Sequence, residues 1–130
     1  MAHRVALLAL VLFVAPALAE KSTVKKPVGT WHRETDGHKI TFAIKADTLT
    51  VTLENGSKVE AKASYGLTAD GVLFGVITAV EKGDNGPEKG DLFSFRVAVD
   101  GKQLTISELN GTRANDNSRK LVEGTYTRKE

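Results

Sequence analysis

The chain has 130 residues, with 18 lysines and arginines against 16 aspartates and glutamates, and it contains no cysteine. That length suits one domain and is short for two. The near balance of charge gives no reason to expect nucleic acid as a partner, and the lack of cysteine excludes disulfides, thiol nucleophiles and lipid attached through a cysteine, so a hydrophobic core must hold the fold alone.

Residues 1–19 read as a secretory signal peptide rather than as fold. His3 and Arg4 give a short polar start, Val5 to Val14 is an unbroken apolar run, and Ala17-Leu18-Ala19 has the small-x-small form expected before a cleavage site. The run is shorter than the roughly 20 residues a spanning helix needs. The sequence therefore predicts export to the periplasm or the extracellular space, with cleavage after Ala19 and no stable membrane insertion afterwards. Residues 20–27, with Lys21, Lys25 and Lys26, read as a flexible leader, and 28–130 as the domain.

Strand-like alternation begins at Val28-Gly29-Thr30-Trp31-His32-Arg33. After the turn signal Thr35-Asp36-Gly37, His38 to Ala46 puts Ile40, Phe42, Ile44 and Ala46 on one face. Leu49, Val51 and Leu53 then alternate with threonines up to Asn55-Gly56, a pair that predicts a type I′ hairpin turn with two residues at positive φ. The fourth strand places Val59, Ala61, Ala63 and Tyr65 on one side, and Ala69-Asp70-Gly71 turns the chain. The fifth, Val72 to Val80, is apolar on both faces: Val72, Phe74 and Val76 against Leu73, Ile77 and Ala79. A polar loop, Lys82 to Gly90, leads to a sixth strand with Phe93, Phe95, Val97 and Val99 inward. Asp100-Gly101 turns into the seventh. Asn110 to Lys120, opening on Asn110-Gly111, reads as a second long polar loop before the closing strand Val122 to Arg128. No segment after the leader shows helical periodicity.

About eight strands joined mostly by tight turns predict an all-β fold, a single up-and-down antiparallel closed barrel. Closure removes the exposed edges that an open meander would leave. Alternating strand direction places the turns at Ala46-Asp47, Ala69 to Gly71 and Asp100-Gly101 at one end with both termini. The other end carries the long loops, where a ligand or partner is expected on a rigid scaffold.

Gly29, Trp31 and a closing Arg128 resemble the calycin superfamily of lipocalins, fatty-acid-binding proteins and avidins. The resemblance implies a lipocalin-like barrel in which the arginine packs near the tryptophan at the closed end. The Val-Gly-x-Trp start and the Gly124-Thr125-Tyr126-Thr127-Arg128 end are also similar to small secreted paralogue families of planctomycete bacteria. Gly29, Trp31, Gly124, Tyr126 and Arg128 thus form a structural signature.

Chemistry-bearing motifs are few. His32 and His38 could face one another across the first hairpin with Glu34 or Asp36 as a further ligand, but surface histidines are the simpler reading, and no metal or cofactor is expected. Asp84, Asn85, Glu88 and Asp91 lack the spacing of a calcium loop. Neither Gly-x-Ser-x-Gly nor a phosphate-binding loop is present, so the chain reads as a non-enzyme. Asp84, Asn85 and Glu88 from one long loop, with Asn110, Arg113 and Asn115 from the other, are the candidate binding residues. Two binding readings stand: a binding module for a small apolar molecule held in a hollow barrel, and a filled barrel that binds or inhibits another protein through those loops; a hydrolase dependent on His32 and His38 ranks well below both. Ala61, Ala63, Gly75, Ala79 and Gly124 are small enough to leave a hollow, whereas Trp31, Phe42, Tyr65, Phe93, Phe95 and Tyr126 favour filling. The outward face of the fifth strand could form a weak homodimer contact.

Overall fold

A computed structural model of the chain describes residues 25–81 and 86–129. The signal-peptide reading and candidates Asp84 and Asn85 lie outside the described residues. Eight strands form one closed antiparallel barrel in chain order. They are β1 (Gly29–Thr35), β2 (His38–Ile44), β3 (Thr48–Glu54), β4 (Lys58–Leu67), β5 (Val72–Glu81), β6 (Leu92–Asp100), β7 (Gln103–Gly111) and β8 (Gly124–Arg128). Among the described residues a single helix, α1 (Asp116–Val122), lies between β7 and β8. The up-and-down barrel expected from the alternation is the fold observed.

Period-two alternation decides which side chains enter the core. Every strand contributes: Trp31 from β1, Ile40, Phe42 and Ile44 from β2, Leu49 from β3, Ala61 and Ala63 from β4, Leu73 and Ile77 from β5, Phe95 and Val97 from β6, Leu104, Ile106 and Leu109 from β7, and Tyr126 from β8. In a closed ring of eight strands, β2 and β6 are opposite one another. The rings of Phe42 and Phe95 nevertheless meet edge-on with centroids 5.8 Å apart, so that contact crosses the barrel axis. Tyr126 meets Phe42 edge-on at 5.5 Å and Phe93 stacks on Phe95 at 5.8 Å. At this level the interior is solid side chain, as an eight-stranded barrel allows.

The tight end is built around Trp31. Its indole is fully buried, Nε1 donates to the Pro27 carbonyl at 2.9 Å, and the Arg128 guanidinium lies 4.3 Å from the ring centroid. Pro27 is itself buried, so this end of the leader packs against the domain instead of standing free. Arg128 also donates to the Val28 carbonyl at 3.2 Å. A side chain at Gly29 (φ 143°) would strike that guanidinium, which is the physical reason for glycine two residues before the tryptophan. Gly, Trp and Arg thus form one cation–π clasp, the contact implied by the calycin resemblance.

Several local expectations change. The I′ geometry belongs to Asp36-Gly37, both at positive φ (48° and 77°), not to Asn55-Gly56. Glu54 pairs with Lys58, so the second hairpin loop has a third residue, Ser57, and only Gly56 turns left-handed. β2 ends at Ile44, and Ala46 is exposed in the following turn. In β5 the register slips opposite Lys62/Ala63, leaving Thr78 as an extra residue. Ala79 therefore faces outward and Val80 packs inward. Asn110-Gly111 is not a turn, because β7 continues through it: Asn110 pairs with Ser94 and Gly111 with Phe93.

Candidate functional site

The long-looped end is where the sequence placed its candidate residues, and the structure organises that end differently. The stretch read as a polar loop from Asn110 to Lys120 contains α1. Asn115 is its N-cap: its side chain accepts from the Ser118 N–H at 2.9 Å, and Ser118 Oγ accepts from the Asn115 N–H at 2.9 Å. This reciprocal capping box satisfies two orphan donors, with Asp116 in the first turn and Arg119 and Lys120 in the last, where the helix dipole favours them. A seven-residue helix is too short to show a 3.6-residue period, so only the cap signal was available in the sequence.

The helix is strapped down by polar bonds. Arg119 Nε donates to the Leu109 carbonyl at 2.9 Å, and the Glu123 carboxylate accepts from the Leu109 N–H at 2.9 Å. These two side chains serve backbone groups of β7 where β8 no longer runs beside it, since the β7–β8 ladder stops at Ile106/Gly124. Arg33 donates to the Leu121 carbonyl, and its guanidinium lies against Gly124, where a Cβ would come within 2.6 Å of it. Tyr126 Oη donates to the Val122 carbonyl at 2.7 Å. Burial pushes the Tyr126 hydroxyl pKa well above its ordinary value, against an opposing pull from Arg33. Leu121 and Val122 pack on the rim of the core.

Two of the expected site residues meet in a clasp between the loops. Arg113 bonds the Asp91 carboxylate at 2.7 Å and Glu88 at 3.0 Å, while Asp91 also accepts from the Glu88 N–H at 2.9 Å. Asp91, only 8% exposed, is the centre of this clasp and was not among the sequence candidates. Its signal was an acid bordering an apolar strand opposite a loop arginine, which sequence spacing alone does not reveal. A side chain at Gly86 would touch Val59, so the described part of this loop passes over the mouth near β4. Asn110 makes only a long 3.4 Å bond to the Glu108 carbonyl and is separate from the clasp. Thus Glu88 and Arg113 come together as structural partners, Asn115 caps a helix, and Asn110 stands apart on a strand. The four do not converge on a common pocket.

The two histidines do not face each other. His32 pairs with Thr41, whereas His38 pairs with Thr35 at the hairpin tip. His38 Nδ1 lies 3.1 Å from the Asp36 carbonyl and Nε2 lies 3.0 Å from Asn55 Nδ2. A proton on Nδ1, with Nε2 accepting from the amide, satisfies both contacts. This ring sits in a shallow open depression with Glu34, Lys39 and Glu54. No group of three or more metal-ligating side chains occurs among the described residues.

Outside the mouth, the β5–β6 surface carries exposed apolar side chains: Phe74 is 48% and Leu92 62% exposed. The Phe74 ring lies across Gly66 of β4, where a Cβ would come within 2.7 Å. At the tight end, burial and then the Asp47 carboxylate raise the Tyr65 hydroxyl pKa; that hydroxyl donates to the Lys45 carbonyl. No helix among the described residues is long and apolar enough to cross a membrane. Comparison with protein-family models, curated proteins and solved structures gives no match.

Proposed function

We propose that this chain is an exported, non-catalytic binding module that meets a protein partner at its surface, a filled relative of the calycin barrels rather than a carrier with a hollow interior. The observation that carries this reading is the Phe42–Phe95 contact across the barrel axis, with Tyr126 completing the cluster. An apolar cargo would have to displace those rings. The cap over the mouth, tied by Arg113 to Glu88 and Asp91, also supports recognition from outside. The absence of a recognised nucleophile–base arrangement in the sequence agrees with a binding role.

The test is native mass spectrometry of the mature protein purified from its own host's envelope or medium. A bare protein, unshifted after exposure to fatty acids and small apolar compounds, is the expected result. A reproducible added mass removed by organic extraction would overturn the filled-barrel reading in favour of the carrier.

A further inference from the structure

The barrel wall is incomplete along the far end of β5. β5 pairs with β6 only from Val72 to Val76. One residue further, the Ile77 N–H donates to the Asp91 carbonyl at 2.9 Å and its carbonyl accepts from Gly90 at 2.8 Å. From Thr78 to Glu81, β5 continues along β4 alone, through Lys62/Ala79, Ala61/Val80 and Glu60/Glu81. Among the described residues no strand lies on its other side. Thr78, Ala79 and Glu81 are exposed and Val80 is half-buried. Backbone groups on such an edge are a template for another strand.

The edge also has a charge preference. Glu81 stands directly opposite Glu60, an arrangement that destabilises a sheet. Neither carboxylate forms an ion pair among the described residues. Lys58 and Lys62 flank Glu60 along β4, Lys62 opposite Ala79, whereas Glu81 is the charged residue of the edge segment itself. A cation on a strand added beside β5 would sit next to Glu81 and relieve the repulsion. Alternate residues of that strand would face inward beside Val80, which favours apolar side chains there.

We propose that the Thr78–Glu81 edge takes an extended segment of a partner protein as an added strand, one that alternates basic and apolar residues and sets a lysine or arginine beside Glu81. This inference rests on the protein-binding reading and names its chemistry. The probes are a capped eight-residue peptide alternating lysine and valine and its glutamate counterpart, added to the full mature chain. The lysine peptide should bind, slow amide exchange within Thr78–Glu81, and lose roughly tenfold in affinity with Glu81→Lys. The glutamate peptide should prefer that variant. Because Glu81→Lys removes a like-charge pair, it should leave the fold intact, which a thermal melt checks. An unchanged affinity in the variant, protection appearing only elsewhere, or no binding of either peptide at millimolar concentration would each overturn the proposal. A natural protein partner held equally by wild type and variant would sink the edge assignment while leaving the protein-binding reading standing. An extractable apolar ligand would instead overturn the filled-barrel reading itself.

Discussion

Replacing Phe42 by alanine is the sharpest probe of the solid interior. The ring is 3% exposed and touches rings from both β6 and β8. Its removal leaves a void of roughly 100 Å³, and at about 24 cal/mol per Å³ of unrelaxed cavity this costs about 2.4 kcal/mol. The lost transfer free energy of a phenyl group adds about 2 kcal/mol. The expected loss is therefore about 4 kcal/mol, near the middle of the range of roughly 3–5 seen for buried phenylalanines. Trp31, the sole tryptophan, is fully buried and supplies the fluorescence signal for urea titration. With a slope of roughly 1.5 kcal/mol per molar, the midpoint should fall by roughly 2–3 M. The variant should also gain stability from benzene or indole, which wild type should not, because binding to the native state alone raises its stability. A loss below about 2 kcal/mol, or wild-type stabilisation by the same probes, would refute the reasoning. Phe42 would then line a pre-existing hollow.

Arg113→Ala should cost about 1–2 kcal/mol by thermal melt, reduced from a buried-pair value because the arginine is half exposed. Asp91→Asn should cost less in that background than in wild type, and additive losses would argue against a shared clasp. Asn115→Ala should cost about 1 kcal/mol and speed amide exchange in Asp116–Val122 without altering exchange in β2 or β3. Tyr126 has its folded pKa raised, so its contribution is full below the unfolded value of about 10 and is lost as pH rises beyond it towards the higher folded value. Stability measured from pH 8 to 11 should therefore fall at the alkaline end, and Tyr126→Phe should flatten the fall while costing about 1 kcal/mol at neutral pH through the lost bond to Val122.

The barrel was legible because nearly every strand repeats its apolar residues at period two and most connections are short. Ile40-x-Phe42-x-Ile44 and Leu49-x-Val51-x-Leu53 leave little choice of face. What escaped was whatever departs from that period. The bulge at Thr78 moves Ala79 outward, and nothing in Val76-Ile77-Thr78-Ala79-Val80 marks the extra residue. The second bulge lies on β6–β7, near Glu108 at φ 54°, where glutamate occupies a conformation usually given to glycine. Arg96 holds that side chain at 3.0 Å and also donates to the Asp70 carbonyl at 2.9 Å, two long-range contacts invisible in a local window. The roles of the loop residues were hidden for a related reason. Polar residues in long loops look available to a ligand, yet Glu88, Arg113 and Asn115 are taken up in holding the cap together.

The seam between the first and last strands has a kinetic meaning. Among the described residues β1 and β8 share only the Trp31/Arg128 and His32/Thr127 rungs, reinforced by Lys129 N–H to the Thr30 carbonyl at 2.8 Å. Every other ladder joins neighbours in the chain, most of them across a tight turn, with longer connections only between β5 and β6 and, through α1, between β7 and β8. The seam joins groups up to 100 residues apart, so its closure meets the full loop entropy with few bonds to offset it. Folding should therefore proceed as a meander that curls, with ring closure late. A circular permutant that links the natural ends and opens the chain at Asn55-Gly56 would make this seam local and should fold faster, transferring the slow step to the new break.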